Sequence, residues 1–193
     1  MTEKQRLVIG ISGASGACYG LRLLEACKSL DLETHLVISK AGEVTISQET
    51  SATLSNVKAL ADHYHKAADI GAAIASGSFQ TIGMVIVPCS IRSMSEIATG
   101  VTSSLLTRAA DVTLKERRKL ILAIRETPLH TGHLRSLTQL SEMGAIIVPP
   151  VPAFYTKPQS IDDLVTQFTG HLLRLMGIEN DLAREWSGLK NGA

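Results

Sequence analysis

The chain has 193 residues, of which 45% are hydrophobic, 19% charged and only 4% aromatic, with a formal net charge of +1. That length supports one full core. The near-neutral charge gives no reason to expect nucleic acid or an acidic membrane surface as partner, and no apolar stretch approaches the roughly 20 residues that span a bilayer. Small apolar residues dominate, as in buried parallel strands, and a mean hydropathy of +0.16 with so little charge points to surface buried between subunits.

Met1 to Arg6 runs straight into a strand predicted at 6–11, without a signal-peptide pattern. Gly10-Ile11-Ser12-Gly13-Ala14-Ser15-Gly16-Ala17 follows, and a helix is predicted over 16–30. Strand, small-residue turn and helix together make an anion well, because glycines let the backbone approach a ligand and the helix N-terminus favours negative charge. A turn that only packs helix on strand is the plainer alternative. The P-loop is excluded because no Lys follows the glycines. The second strand, 33–38, ends in Ser39-Lys40 where a dinucleotide fold would place an acid, so a phosphate or a flavin edge fits better than a ribose diol.

Helices are predicted at 40–49, 55–62 and 68–76. His63 and His65, between the last two, match neither a metal pair on a helix face nor a triad, and are expected to be exposed. A third strand at 82–87 leads into Pro88-Cys89-Ser90-Ile91-Arg92-Ser93. This is a second strand-to-helix junction, where Ser90 can cap a helix at 91–99 and free N–H groups can meet a ligand. The helix at 103–116 carries Arg108, Asp111 and Lys115 on one stripe, either a solvated ion-pair ladder or cations aimed at an anion in a partner subunit. Arg117, Arg118 and Lys119 are read as surface residues.

A buried strand at 119–124 ends in Arg125-Glu126, which is costly to bury without partners and suits phosphate binding and proton movement. His130 and His133 open a helix at 130–143 with no evident third metal ligand. A short strand at 145–148 precedes Pro149-Pro150-Val151-Pro152-Ala153-Phe154-Tyr155, a stiff segment suited to wall an apolar pocket. Ser160 with Asp162-Asp163 starts a helix over 160–176, and without a second acidic cluster it is no diphosphate–magnesium motif. Cys18, Cys27 and Cys89, odd in number and without metal spacing, read as buried small hydrophobes of a reducing cytoplasm, with Cys89 in a loop.

Strands alternating with helices predict an α/β fold: a three-layer Rossmann-like (flavodoxin-like) parallel sheet with helices on both faces. The chain reads as a single flavoprotein domain over 1–193, with a helical tail from about 160. Ligands of such folds sit at the carboxyl ends of the strands.

Taken together, Gly10 to Ala17, Ser76-Gly77-Ser78-Phe79, Pro88-Cys89-Ser90, Leu106 to Val112, Leu114 to Arg118, Arg125 to Leu129, Pro149 to Tyr155 and Trp186 resemble the UbiX flavin prenyltransferases, once described as aromatic acid decarboxylases. The resemblance implies transfer of a dimethylallyl group from dimethylallyl monophosphate to reduced FMN, without metal, in a dodecamer with sites at subunit contacts. The prenylated FMN would serve a UbiD-type decarboxylase, often in ubiquinone synthesis. By the same analogy Gly13, Ala14, Ser15, Ser39, Ser90, Ile91, Arg92, Ser93 and Arg125 hold FMN. Arg108 and Lys115, from a neighbouring subunit, join Arg125 and Tyr155 at the substrate phosphate, and Ser15, Glu49, Glu126 and Trp186 shape the site or handle protons. Where the family usually has Arg or Lys on the last long helix, followed by Asp three residues later, this chain has His171 and Arg174; Ser103 replaces an acid or amide. Imidazole carries only partial charge near neutrality, which makes Arg174 the candidate replacement cation. Two other readings remain at this point: direct aromatic acid decarboxylation, and an FMN carrier without transferase activity. An NAD-dependent dehydrogenase fits worst.

Overall fold

The computed structural model describes residues 4–188. Its strands are β1 (Arg6–Ile11), β2 (Glu33–Ile38), β3 (His63–Lys66), β4 (Gly83–Cys89), β5 (Lys119–Ile124) and β6 (Ile146–Ile147), all parallel, in the order β3-β2-β1-β4-β5-β6. The helices are α1 (Ala17–Ser29), α2 (Lys40–Glu49), α3 (Leu54–Leu60), α4 (Ile91–Thr99), α5 (Leu105–Lys115), α6 (Thr131–Glu142) and α7 (Ile161–Met176).

Alternate strand residues point to opposite faces, and both faces are covered. Leu7, Ile9 and Ile11 of β1 belong to a core with α1, α2, α3 and α7, while Val8, with Met84 and Ile86 of β4, packs under α4, α5 and α6. This double burial explains why the strands read as continuous apolar runs.

The unexpected strand is β3. His-Tyr-His-Lys has no apolar alternation, so the period-two signal is missing. Pairing is imposed from outside. Asp62 accepts hydrogen bonds from both the N–H and the hydroxyl of Thr34 at 2.8 Å, and its own N–H donates back to Thr34 Oγ1 at 3.0 Å. His65 is accordingly half-buried on the sheet, although His63 stays exposed as expected. The helix predicted at 68–76 shrinks to a 3₁₀ turn at Ala73–Ala75. Gly71 before it and Ser76-Gly77-Ser78 after it leave too few helix formers to support a costly nucleus.

Other boundaries moved for local reasons. The strand predicted at 82–87 extends through Pro88 to Cys89, so Cys89 is a buried strand residue and not part of a loop; burial pushes its thiol, like that of Cys27, up to about 12. Cys18 is exposed, because the buried stripe of α1 runs through Ala17, Gly20, Leu23, Leu24 and Cys27 and skips it. Arg118 is half-buried, donating to the carbonyls of Phe79 at 2.7 Å and Gly77 at 2.6 Å, and so ties down the loop before β4. The tail expected to be helical from about 160 is helical only to Met176. Gly177 ends α7 in the left-handed conformation (φ 88°), and no helix follows up to residue 188; residues 189–193 lie outside the described range.

Helix α1 crosses β4 so closely that a Cβ on Gly20 would lie 2.7 Å from the Val87 carbonyl and 2.8 Å from Ile11. Gly20→Ala is therefore expected to cost about 1–3 kcal/mol, seen as a lower urea midpoint with an unchanged m value.

Candidate active site

The strand order changes direction between β1 and β4, and ligands of open α/β sheets bind at such a point. Here the loops after β1 and β4 are tied together through Ser12. Its N–H and its hydroxyl both donate to the Pro88 carbonyl, at 3.1 and 2.9 Å, and its Oγ accepts the Ser90 N–H at 2.7 Å. The neighbouring loops join the same knot. Ser39 N–H donates to the Ile11 carbonyl at 2.9 Å, and Arg125 N–H to the Cys89 carbonyl at 3.1 Å.

Ser39 and Ser90 each cap their own helix, accepting from Gly42 N–H and Ser93 N–H. Ser93 is buried behind Ser90. Ile91 is half-buried, and the exposed Arg92 pairs with Glu96 at 2.9 Å on α4. Helix α1 is different, because Gly16 at its N-cap supplies no side chain. Glu49, from the end of α2, takes that role: its Oε2 accepts from Gly16 N–H at 2.8 Å and Ala17 N–H at 3.1 Å. Burial raises the Glu49 pKa. The Ser15 hydroxyl, these two N–H groups and the Arg125 charge outweigh it, and the net shift is downward. The expected anion well is thus divided. Its helical end is occupied by the protein's own carboxylate, whereas the N–H groups of Gly13, Ala14 and Ser15 have no acceptor among the described residues. Three such successive donors fit a phosphate. The loop cannot widen freely, since a Cβ on Gly13 would meet that of Ala41 at 2.4 Å.

Beyond this loop lies a cleft of about 250 Å³, between α1, α7 and the segment before α7, lined in part by Tyr19, Pro150, Val151, Tyr155, Phe168 and His171. Arg125 acts electrostatically on both Glu49 and Tyr19, which joins the phosphate loop to the cleft. The Tyr155 hydroxyl donates to the Arg184 carbonyl at 3.1 Å and accepts from Gln167 Nε2 at 3.4 Å, and Trp186 meets its ring edge-on at 5.7 Å. His171 lines the cleft, as the resemblance implies. Arg174 does not supply the missing cation. Its guanidinium bonds to the Asn180 and Ala183 carbonyls and pairs with Glu185 at 3.3 Å, so it fastens the segment after α7.

Three expected residues stand outside this arrangement. Glu126 is exposed and accepts from its neighbour's N–H, that of Thr127, at 3.0 Å. Arg108 pairs with Asp111 at 2.7 Å, and Lys115 with Glu116. Lys115 lies four residues before the start of β5, hence at the amino end of the sheet, opposite the knot. Within one chain Lys115 does not reach the carboxyl-end loops; Arg108 lies in the first turn of α5, whose Leu105 N–H donates to the Ala67 carbonyl just after β3. Sequence reading missed Tyr19, Gln167 and Phe168. The signal for Gln167 and Phe168 was a glutamine on the mainly apolar buried face of α7.

The pattern of the Flavoprotein family matches residues 1–173. Flavin prenyltransferase UbiX of Escherichia coli (strain K12) is 57% identical over 187 residues, covering 95% of this chain and 99% of that protein. UbiX of Neisseria meningitidis serogroup B is 50% identical over 185 residues, 96% of this chain and 98% of that one. Among solved structures, AnUbiX in complex with FMN and dimethylallyl pyrophosphate superposes with a TM-score of 0.96 at 45% identity, covering 97% of this chain and all of that one. The dodecameric FMN-dependent UbiX-like decarboxylase of E. coli O157:H7 gives 0.93 at 46% identity, covering 95% of this chain and all of that one.

Glu49 is held below the ordinary carboxylate value of 4.5. A depressed folded pKa gives stability that is full above 4.5 and is lost as pH falls through the folded value. Glu49→Gln is expected to cost about 0.3–1 kcal/mol at pH 7, with the difference in Tm from the parent shrinking as the pH falls below 4.5.

Proposed function

The chain belongs to the UbiX flavin prenyltransferase family, and from that premise we propose that it transfers a dimethylallyl group from dimethylallyl monophosphate to reduced FMN, for use by a UbiD-type decarboxylase. The observation that carries the residue assignment is the divided N-terminal loop, with amides of residues 13–15 left for a ligand phosphate beside a cleft walled by prolines and aromatics.

The free N–H groups of Gly13, Ala14 and Ser15 take the FMN phosphate, with Ser39, Ser90 to Ser93 and Arg125 along the rest of the cofactor. FMN, once bound and reduced, supplies the electron-rich ring atoms that accept the prenyl group. What remains for the protein is the leaving group. An allylic monophosphate departs poorly unless its growing charge is neutralised. Arg125, Tyr155 and His171 face the phosphate from one chain, and Arg108 and Lys115 from a neighbouring subunit of a homo-dodecamer. Their charges act most strongly in a closed site from which water is excluded. The proline run, Tyr19 and Phe168 wall the dimethylallyl group, and Trp186 supports Tyr155 from the side; aromatic faces favour positive charge developing beside them. Glu49, with the Ser15 hydroxyl, moves the proton released from the flavin, and Glu126 joins them only if its side chain leaves the Thr127 N–H. Tyr155 donates to the Arg184 carbonyl, so its hydroxyl turns to the phosphate only when that bond breaks. The cytoplasm is the compartment that fits; no helix among the described residues is long and apolar enough to cross a membrane.

Anaerobic incubation with reduced FMN and dimethylallyl phosphate, then mass spectrometry of the extracted flavin, is expected to show a flavin heavier by one five-carbon unit, with phosphate released. Unmodified FMN that stays bound would leave only a carrier, and carbon dioxide released from an aromatic acid by the chain alone would favour the decarboxylase. His171→Arg is expected to raise kcat/KM for dimethylallyl phosphate at least tenfold, since a hydrogen bond to a permanent charge is worth about 1.5–3 kcal/mol, with part of the gain in kcat.

A further inference from the structure

At the β3 edge of the sheet, a cluster of donors stands apart from everything prenyl transfer uses. Glu33 and His35 are two residues apart on β2, as are His63 and His65 on β3, and the register sets His35 against His63. Period-two alternation puts all four on one face. The cluster lies about 13 Å along β2 from Ser39, at a rise of about 3.3 Å per residue.

The stacked rings of His35 and His63, 4.5 Å apart, present their Nε2 atoms to the same oxygen. Glu33 Oε1 is 3.1 Å from His35 Nε2 and 3.3 Å from His63 Nε2, and all three atoms lie within 4.8 Å of one another. With zinc bonds of about 2.0–2.1 Å, tetrahedral ligand atoms stand about 3.3 Å apart. Two of the three separations are already of that size, and the exposed His63 side chain is free to turn and close the third.

We propose that Glu33, His35 and His63 form a binding site for one divalent ion of the zinc class, with solvent as fourth ligand, that clamps edge strand β3 to β2. The supporting shell is present. His35 Nδ1 lies 3.0 Å from His65 Nε2, and such a contact to the second nitrogen fixes the tautomer and orientation of a ligating imidazole. Burial lowers the pKa of both His35 and His65, which keeps the rings in the neutral form that binds metal. Arg6, whose Nε is 3.3 Å from both Glu33 oxygens, competes for the carboxylate and limits the affinity. Metal at Nε2 leaves each ring's one proton on Nδ1, and His35 Nδ1–H can donate it to His65 Nε2.

The test is titration of the chelator-treated, FMN-loaded full chain with Co(II). One equivalent per chain is expected, with visible absorption of tetrahedral intensity that Zn(II) bleaches. Removing even an outer-shell partner of a metal site costs about 10–100-fold, so His63→Ala and Glu33→Gln should each weaken binding at least tenfold, while His130→Ala on α6 leaves it unchanged. His63 is exposed, so His63→Ala tests the site even if Glu33→Gln misfolds. Absence of the tetrahedral bands, binding that survives His63→Ala, or binding lost in His130→Ala would each overturn the proposal.

Discussion

The Ser12 side chain is the contact on which the rest of the site depends. Parallel strands buried on both faces leave their end groups with little access to water, and each such group must find a partner. At the point where β1 and β4 part, the fully buried Ser12 answers for both chains, donating to Pro88 and accepting from Ser90. One hydroxyl thereby ties together the loops after β1 and β4. A side chain without a donor at that position would leave the Ser90 N–H and the Pro88 carbonyl short of partners together, so the penalty would fall on the site as well as on the core.

The use of Glu49 follows from a related economy. A helix N-terminus is attractive to any anion, including the wrong one. By capping α1 from α2, Glu49 fills the donors nearest the helix axis and leaves the loop amides of residues 13–15 as the open ones. Its ionised form is favoured first by the Ser15 hydroxyl and the Gly16 and Ala17 N–H groups, and then by the Arg125 charge. Structure and chemistry share one group here: Glu49 cannot pick up a proton without weakening the cap it makes.

What the sequence made legible, and what it did not, divides along the range of the interactions. Ser39 and Ser90 were readable because strand end, cap and helix are neighbours in the chain. Strands β1, β4 and β5 were readable because double burial leaves long apolar runs. Strand β3 escaped because its pairing is enforced by Asp62 reaching Thr34, 28 residues away in sequence. The role of Arg174 escaped because a cation on a helix looks the same whether it faces a ligand or fastens a following segment. Gln167 and Tyr19 reach the cleft only through the packing of α1 on α7, which no local pattern encodes.

The placement of the cations says how the site is completed. Lys115 sits at the end of α5 that faces the amino edge of the sheet, whereas the proposed phosphate site lies at the carboxyl edge. Arg108 and Lys115 are both paired locally, with Asp111 and Glu116, at sites partly open to solvent, where such pairs contribute little. They are therefore cheaply re-paired with a stronger anion presented by another copy of the chain. On the cleft side, Val151, Phe154 and Trp186 are all more than half exposed. Covering such apolar surface is favourable in itself, and under the proposed assembly the same docking would remove water from the cleft, where charges act at lower dielectric. Under the proposed dodecamer, assembly and catalysis would be one event: the apolar rim would supply the association energy, and the chain docking there would bring Arg108 and Lys115.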